Sequence, residues 1–335
     1  MNTQTGLVTV FGYGPTGKAT ADRLHGRGQA VRVVQRKRPA DLAPGIEFIA
    51  GDILKADDVK RAFAGAEQVV VTTGFEYRGK TWQVAWPQAM RNLLAVAEAA
   101  NVRVVQVDNM YMYGPQDVPL HEDMPLTSYG VKPAVRADIT RMWQKAARGG
   151  KVRWAALRAP DFYGPGVANS HMGYTGLKPV AAGKTAQVLM APDLPHAFAY
   201  VPDIGRAVVS LLDADDSAFN QVWHVPCAPA KTPRQMLQMG ADASGQKLKM
   251  MAMPGWMLQA MGLVAPMMRE LSEMRFTWNR AYHIDATKFA RRFWSDATPF
   301  EIGIPATVRS YPSPAVKTTS KQENRAKNPA ATATP

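Results

Sequence analysis

Gly12, Gly14 and Gly17, spaced Gly-x-Gly-x-x-Gly with Pro15 and Thr16 ahead of the last, bring bare main-chain N–H groups to a place where an anion can be held. The apolar run Leu7–Phe11 leads into this loop and Lys18–Gly26 reads as a helix after it. A helix N-terminus then faces the same anion, the arrangement that holds a dinucleotide pyrophosphate. A second apolar run, Ala30–Val34, ends in Gln35-Arg36-Lys37-Arg38. A carboxylate at that place suits the ribose of NAD, whereas a guanidinium fork suits a 2′-phosphate. Arg36 and Arg38, with Gln35 beside them, therefore point to NADP in preference to NAD.

The same logic applies to the ends of the other apolar runs. Gly51-Asp52-Ile53 follows the third, Thr72-Thr73-Gly74 the fourth, Asp108-Asn109-Met110-Tyr111 the fifth, and Arg158-Ala159-Pro160-Asp161 the sixth. Asp52, with Ile53, is placed to accept from an adenine amino group. Thr72, Thr73 and Gly74 are small enough for a cofactor to lie against backbone, and Pro160 belongs to the same edge.

The elements that must carry these residues alternate. Strand-like runs at 7–11, 30–34, 46–50, 68–72, 102–107 and 152–157 are separated by helical stretches, among them 57–64, 86–100 and 133–149. Such alternation predicts an α/β fold, a Rossmann-like doubly wound parallel sheet whose ligands bind at the carboxyl ends of the strands. The expected organisation is a nucleotide-binding domain over residues 1–165, a smaller C-terminal substrate lobe over 166–312 that returns elements to the sheet, and a disordered tail over 313–335.

Composition narrows the function classes. The chain has 335 residues, 46% of them hydrophobic, enough for a large core. Cys227 is the single cysteine, so no internal disulfide can form, and a reducing, cytoplasmic setting is expected. Neither paired cysteines nor His-Glu-x-x-His occurs, so no metal site is expected. The polar start is read as lacking a signal peptide, and no apolar run reaches the length of a membrane span. Forty basic against 27 acidic residues give a net charge of +13. Without a nucleic-acid-binding signature, that charge specifies no nucleic-acid partner, although salt-sensitive binding to nucleic acid or a membrane surface is one reading of it. Met250–Met274 carries eight of the 18 methionines and is broken by Pro254, Gly255, Gly262 and Pro266. Two short helices are expected there, forming ordinary core, an adaptable pocket wall, or a face that touches a membrane.

With these pieces assembled, the chain resembles the short-chain dehydrogenase/reductase superfamily in its extended and atypical branch of NAD(P)-dependent epimerases, dehydratases and 3β-hydroxysteroid-dehydrogenase-like reductases. The resemblance runs from Leu7 to about Tyr311. Beyond the glycine loop it rests on Tyr111-Met112-Tyr113-Gly114-Pro115, Leu157 to Gly166, Phe198 to Ala207 and His283 to Lys288.

The family's chemistry implies a Tyr acid/base, a Lys four residues later that lowers its pKa and holds the nicotinamide ribose, and a Ser or Thr at the fifth strand. Here Asn109 stands at the Ser/Thr place, where its amide can polarise a substrate oxygen. Tyr129 and Lys132 are one residue closer than the family spacing, and Pro133 after Lys132 predicts that the helix starts there. Tyr129 or Tyr111 is then the proton donor, and Lys132 the ribose ligand. Tyr77 and Trp82 in the loop after the fourth strand, with Tyr163, His196 and Tyr200 further on, are the substrate contacts that the resemblance implies, and His171 and Tyr174 lie in the same covering segments. Tyr113 and Tyr163 also occur in turns that the family uses for packing. The reading is an NADP-dependent oxidoreductase acting on a small, moderately apolar molecule, possible as a homodimer. The alternatives are an NADP(H)-sensing regulator without turnover and a nucleotide-sugar epimerase or dehydratase.

Overall fold

The computed structural model describes residues 6–167, 170–189, 191–263 and 265–311. The tail expected over 313–335 lies outside them. Strands β1 (Leu7–Phe11), β2 (Val31–Gln35), β3 (Glu47–Ala50), β4 (Ala66–Val71), β5 (Arg103–Asp108) and β6 (Arg153–Arg158) form one sheet. Three short strands follow, β7 (Phe162–Tyr163), β8 (Ala186–Val188) and β9 (Ala199–Tyr200). The main sheet is completed by β10 (Gln221–His224), and β11 (Met250–Ala252) pairs with β8. The seven strands run parallel in the order β10-β6-β5-β4-β1-β2-β3. Six of the seven lie within two residues of the sequence expectation. The edge strand β10 is an addition to it, because Gln-Val-Trp-His is too short and too mixed to stand out.

Parallel strands are covered on both faces, which is why β1, β4 and β5 read as nearly unbroken Val-rich runs. One face buries Val8, Val10, Val33 and Val70 under helices α1 (Pro15–Gly26) and α6 (Val201–Leu212), through Leu24, Ile204 and Val208. The other buries Phe11, Val69 and Val71 under α2 (Ala56–Phe63), α3 (Gly79–Ala100) and α4 (Lys132–Arg148), through Trp86, Met90, Ile139 and Trp143. Helix α3 starts seven residues before the expected Trp86 and carries Pro87 within it. A proline lacks only one amide bond, and packing of the flanking Trp86 and Met90 holds the helix together through it.

The second lobe buries Met172, Leu177, Phe198, Met236, Leu237, Phe300 and Ile304. Its helices are α5 (Lys178–Ala181), α7 (Pro233–Ala243), α8 (Gly255–Gly262), α9 (Pro266–Glu273), α10 (Thr287–Arg292), which turns back onto the sheet face through Phe289, and α11 (Phe300–Arg309). Among the described residues, no helix is long and apolar enough to cross a membrane.

A buried polar wedge ties the β6/β10 edge to the turn Tyr111–Tyr113 that follows β5. Tyr113 donates its hydroxyl proton to His224 Nε2 at 2.7 Å and accepts from Arg158 at 2.6 Å. His224 Nδ1 donates to the Asp285 carbonyl at 2.9 Å. The Tyr113 hydroxyl proton has its acceptor only while the imidazole is neutral. Burial, reinforced by the Arg158 charge, pushes His224 down to about 3 from an ordinary 6.5. Protonation therefore favours the unfolded chain. The stabilisation is complete above pH 6.5 and is lost progressively as pH falls toward 3. In urea unfolding across that window, His224→Gln should flatten this part of the pH profile while costing about 1–3 kcal/mol at neutral pH.

Candidate functional site

The site begins where the sheet order reverses, between β1 and β4. Gly12 adopts φ +90°, and a Cβ there would lie 3.2 Å from the main chain of Thr72 and Thr73. A Cβ on Gly17 would fall 2.1 Å from the Gly12 carbonyl, so α1 can start this close to β1 only with glycine. Thr72 locks the turn by donating its hydroxyl to the Phe11 and Gly12 carbonyls at 3.0 and 3.1 Å. Gly14, in contrast, faces open space. Its helix has no side-chain cap, and the Thr16 and Gly17 amides make no hydrogen bond among the described residues. These donors fit a pyrophosphate.

A cleft of about 780 Å³ extends from this loop and is lined by Gly12, Gly14, Gln35, Arg36, Lys37, Asp52, Ile53 and Thr72–Phe75. Gln35 accepts from the Tyr13 amide at 3.1 Å, so it braces the glycine loop as well as lining the cleft. Arg36 reaches the cleft and Lys37 accompanies it. Arg38 does not: its guanidinium lies over the Phe48 ring, 5.6 Å from the centroid. Asp52 turns one carboxylate oxygen back to the Leu54 amide at 3.0 Å. Pro15 lies on the outer side of the loop, in a depression shared with Lys18 and Pro202.

Through the turn Thr72–Phe75, the cleft meets a second cavity of about 230 Å³. Phe75, Trp82, Trp86, Tyr111, Phe162 and Tyr282 form its apolar walls, and Thr16, Asn109, Arg136, Pro160, Asp161 and Thr277 its polar edge. Trp82 is on the first turn of α3 and not in a loop, stacked 6.3 Å from Tyr111. Asn109 accepts from the Tyr111 amide through Oδ1 at 3.0 Å, which leaves its NH2 group for the cavity. Burial raises the Tyr111 phenol well above its ordinary range, and the Asp161 charge adds to the rise. Burial acts upward on Asp161 most strongly of any single cause, but the hydrogen bond to His196, at 3.1 Å, together with the charges of His196 and His171 and a hydrogen bond from Trp278, holds the carboxyl below the usual range. Tyr111 is therefore a protonated phenol beside a fixed carboxylate.

Other expected residues are placed elsewhere. Tyr129 is 43% exposed, packed edge-on against Phe276, and does not line the cavity. Lys132 is the first residue of α4 and fully buried, but its ammonium donates to Glu270 at 2.6 Å and to Glu273, both on α9. Its position one turn before Arg136 puts Arg136 at the cavity instead. That guanidinium pairs with Asp108, stacks 3.9 Å from the Trp86 centroid, and keeps Nε and Nη1 without partners among the described residues although 97% buried. Only the helical register, with Lys132 and Arg136 at i and i+4, could have flagged Arg136 in the sequence. Trp86, Tyr282 and Thr277 carried no sequence signal.

Tyr77 sits behind the cavity wall, edge-on to Trp82 and 5.1 Å from the Lys132 ammonium. His196 stands one layer behind Tyr282, stacked at 4.8 Å, and positions Asp161. Tyr163 and Tyr200 pack on one another at 5.2 Å, and neither lines the cavity. His171 is half-buried against Trp278, while Tyr174 is 58% exposed. Among the described residues, no cluster of His, Cys, Asp and Glu could hold a metal ion.

Residues 8–225 match the sequence profile of the NAD dependent epimerase/dehydratase family. A dTDP-6-deoxy-L-talose 4-dehydrogenase (NAD(P)(+)) of Kitasatospora kifunensis is 25% identical over 267 residues, covering 74% of this chain and 82% of that protein. Among solved structures, the Thermus thermophilus UDP-glucose 4-epimerase complex with NAD superposes with a TM-score of 0.72 at 18% identity, covering 91% of this chain and 98% of that one. The Bacillus cereus UDP-glucuronic acid 4-epimerase in complex with NAD gives 0.73 at 14% identity, with the same coverage. At such identities the structures show a shared fold.

Lys132 is buried between two carboxylates, so removing both should leave an uncompensated cation. The double variant Glu270→Gln, Glu273→Gln is expected to lose about 3 kcal/mol in urea unfolding. Adding Lys132→Met should restore most of that loss.

Proposed function

The chain belongs to the NAD dependent epimerase/dehydratase family, and on that premise we propose that it is an NADP-dependent oxidoreductase acting on a carbonyl or hydroxyl carbon of a small molecule. The supporting observation is the continuity of the two clefts through Thr72–Phe75, which joins an anion-binding loop to an aromatic cavity holding a protonated phenol. When bound, the nicotinamide supplies or accepts the hydride.

In this reading Gly12–Gly17 hold the pyrophosphate, and Arg36, with Lys37 where Arg38 was expected, holds the 2′-phosphate. Arg136 takes the ribose position expected for Lys132, with its two free N–H donors. Asn109 donates to the substrate oxygen, and Tyr111 delivers a proton to the oxygen as the carbon is reduced. Burial keeps the phenol protonated, so the proton is present to be delivered, although the raised pKa makes it a weaker acid than a free tyrosine. The aromatic walls favour a compact ring with an apolar face. A deoxy sugar has that character, and the talose dehydrogenase relative acts on one. Residues 166–312 would supply the substrate side, through Thr277 and Tyr282.

The engagement of Lys132 by Glu270 and Glu273 favours a second reading, a sensor that binds NADP(H) without turnover. Cofactor titration and NADPH oxidation with candidate deoxy-sugar ketones separate the two. Tyr111→Phe should cut kcat by about 10²–10⁴ with the cofactor Kd unchanged. Tyr129→Phe should leave kcat within about twofold, and Arg36→Ala should weaken NADP far more than NAD. A protein that binds NADPH but oxidises it in the presence of none of the candidate substrates is the sensor; one that binds neither nucleotide overturns both readings.

A further inference from the structure

Helices α8 and α9 form a hairpin over the N-terminal ends of α3 and α4. Its inner side is tied down: Glu270 accepts from the Gly79 amide at 2.9 Å, Glu273 from the Lys132 amide at 3.0 Å, and both accept from the Lys132 ammonium. Leu258 and Met274 are buried beneath it. The outer side is unlike a solvated surface. Helix α8, Gly-Trp-Met-Leu-Gln-Ala-Met-Gly, has no charged residue, yet within it only Leu258 and Gly262 are buried. Trp256 is 70% exposed and Leu263 is 80% exposed, and Met251, Met261 and Met267 are exposed beside them. A helix apolar all round ordinarily lies inside a core or against lipid. Of the readings open for residues 250–274, ordinary core fits Met274 and its neighbours Met250 and Leu271 but not helix α8.

The charges exposed on residues 247–274 themselves have one sign. Lys247, Lys249 and Arg269 are exposed on the segment, while its only acids, Glu270 and Glu273, are turned inward onto Lys132. The described chain ends at Tyr311, which packs in the same lobe cluster as Leu271 and Met250. The residues that follow include Lys317, Lys321, Arg325 and Lys327 against Glu323. An apolar face bearing Trp and Leu, rimmed by cations, in a chain of net charge +13 matches the recognition of an anionic bilayer surface. A protein partner with an acidic rim is less suited, because the exposed residues are flexible Met and a lone Trp without a groove between them.

We propose that the α8–α9 hairpin docks this protein peripherally on anionic lipid, inserting Trp256 and Leu263 at the headgroup boundary. The proposal goes beyond the catalytic reading and does not depend on it. It is tested with the full-length protein and vesicles of phosphatidylcholine with or without phosphatidylglycerol. Co-sedimentation is expected with the anionic vesicles, with a blue shift of tryptophan emission, and little binding to phosphatidylcholine alone. The double variant Trp256→Ser, Leu263→Ser should bind at least about tenfold less while keeping the wild-type melting temperature, since both side chains are exposed.

Three results would overturn it. One is no binding to anionic vesicles. Another is binding that the double variant retains in full and salt abolishes, which assigns it to charge alone. The last is a wild-type oligomer that the double variant dissolves without any vesicle binding, which assigns the face to a second copy of the chain.

Discussion

The organising constraint is the main-chain contact between the end of β1 and the end of β4. Two glycines without side chains let α1 start against the Gly12 carbonyl, and one threonine hydroxyl fixes the turn from the neighbouring strand. Everything that faces the cleft is referenced to this point. The amides of α1 aim outward because Gly17 can approach so closely, and Thr72–Phe75 becomes the shared wall of both cavities because Thr72 is held there. A methyl group at Gly17 would displace the whole arrangement, whereas one at Gly14 would project into the cleft.

The second lobe acts on the site from a distance. Asp161 reaches the cavity from the loop after β6, but His196, from the segment before β9, holds its carboxylate in the ionised state. The Tyr111 phenol then meets a fixed negative charge in an aromatic surrounding, which keeps its proton in place. Arg136 also lines the cavity, held through Asp108 and Trp86. The cavity thus holds both donors, Asn109 and Arg136, and an acceptor, Asp161.

Much of this was legible in the sequence because strand ends in a parallel sheet share one edge. Gly12–Gly17, Asp52, Thr72–Gly74, Asn109, Tyr111 and Pro160 all follow apolar runs, and the sheet brings them together. What stayed hidden depends on partners remote in the chain. Lys132 looks free in its local sequence, yet its carboxylates come from 138 and 141 residues away. Tyr129, next to a family-like lysine, is carried out of the cavity because α4 begins only at Lys132. Arg136 gains its place from that same helix start. The edge strand β10 depends on pairing with β6 and carries almost no pattern of its own.

Glu270 and Glu273 each cap the start of a helix in the other lobe while sharing one buried ammonium. The lysine and two acids 138 and 141 positions further along therefore drift together or not at all. Losing the lysine strands both acids, and losing both acids strands the lysine, so descendants without the lysine are expected to lack the acids too, and with them the clasp that seats the hairpin.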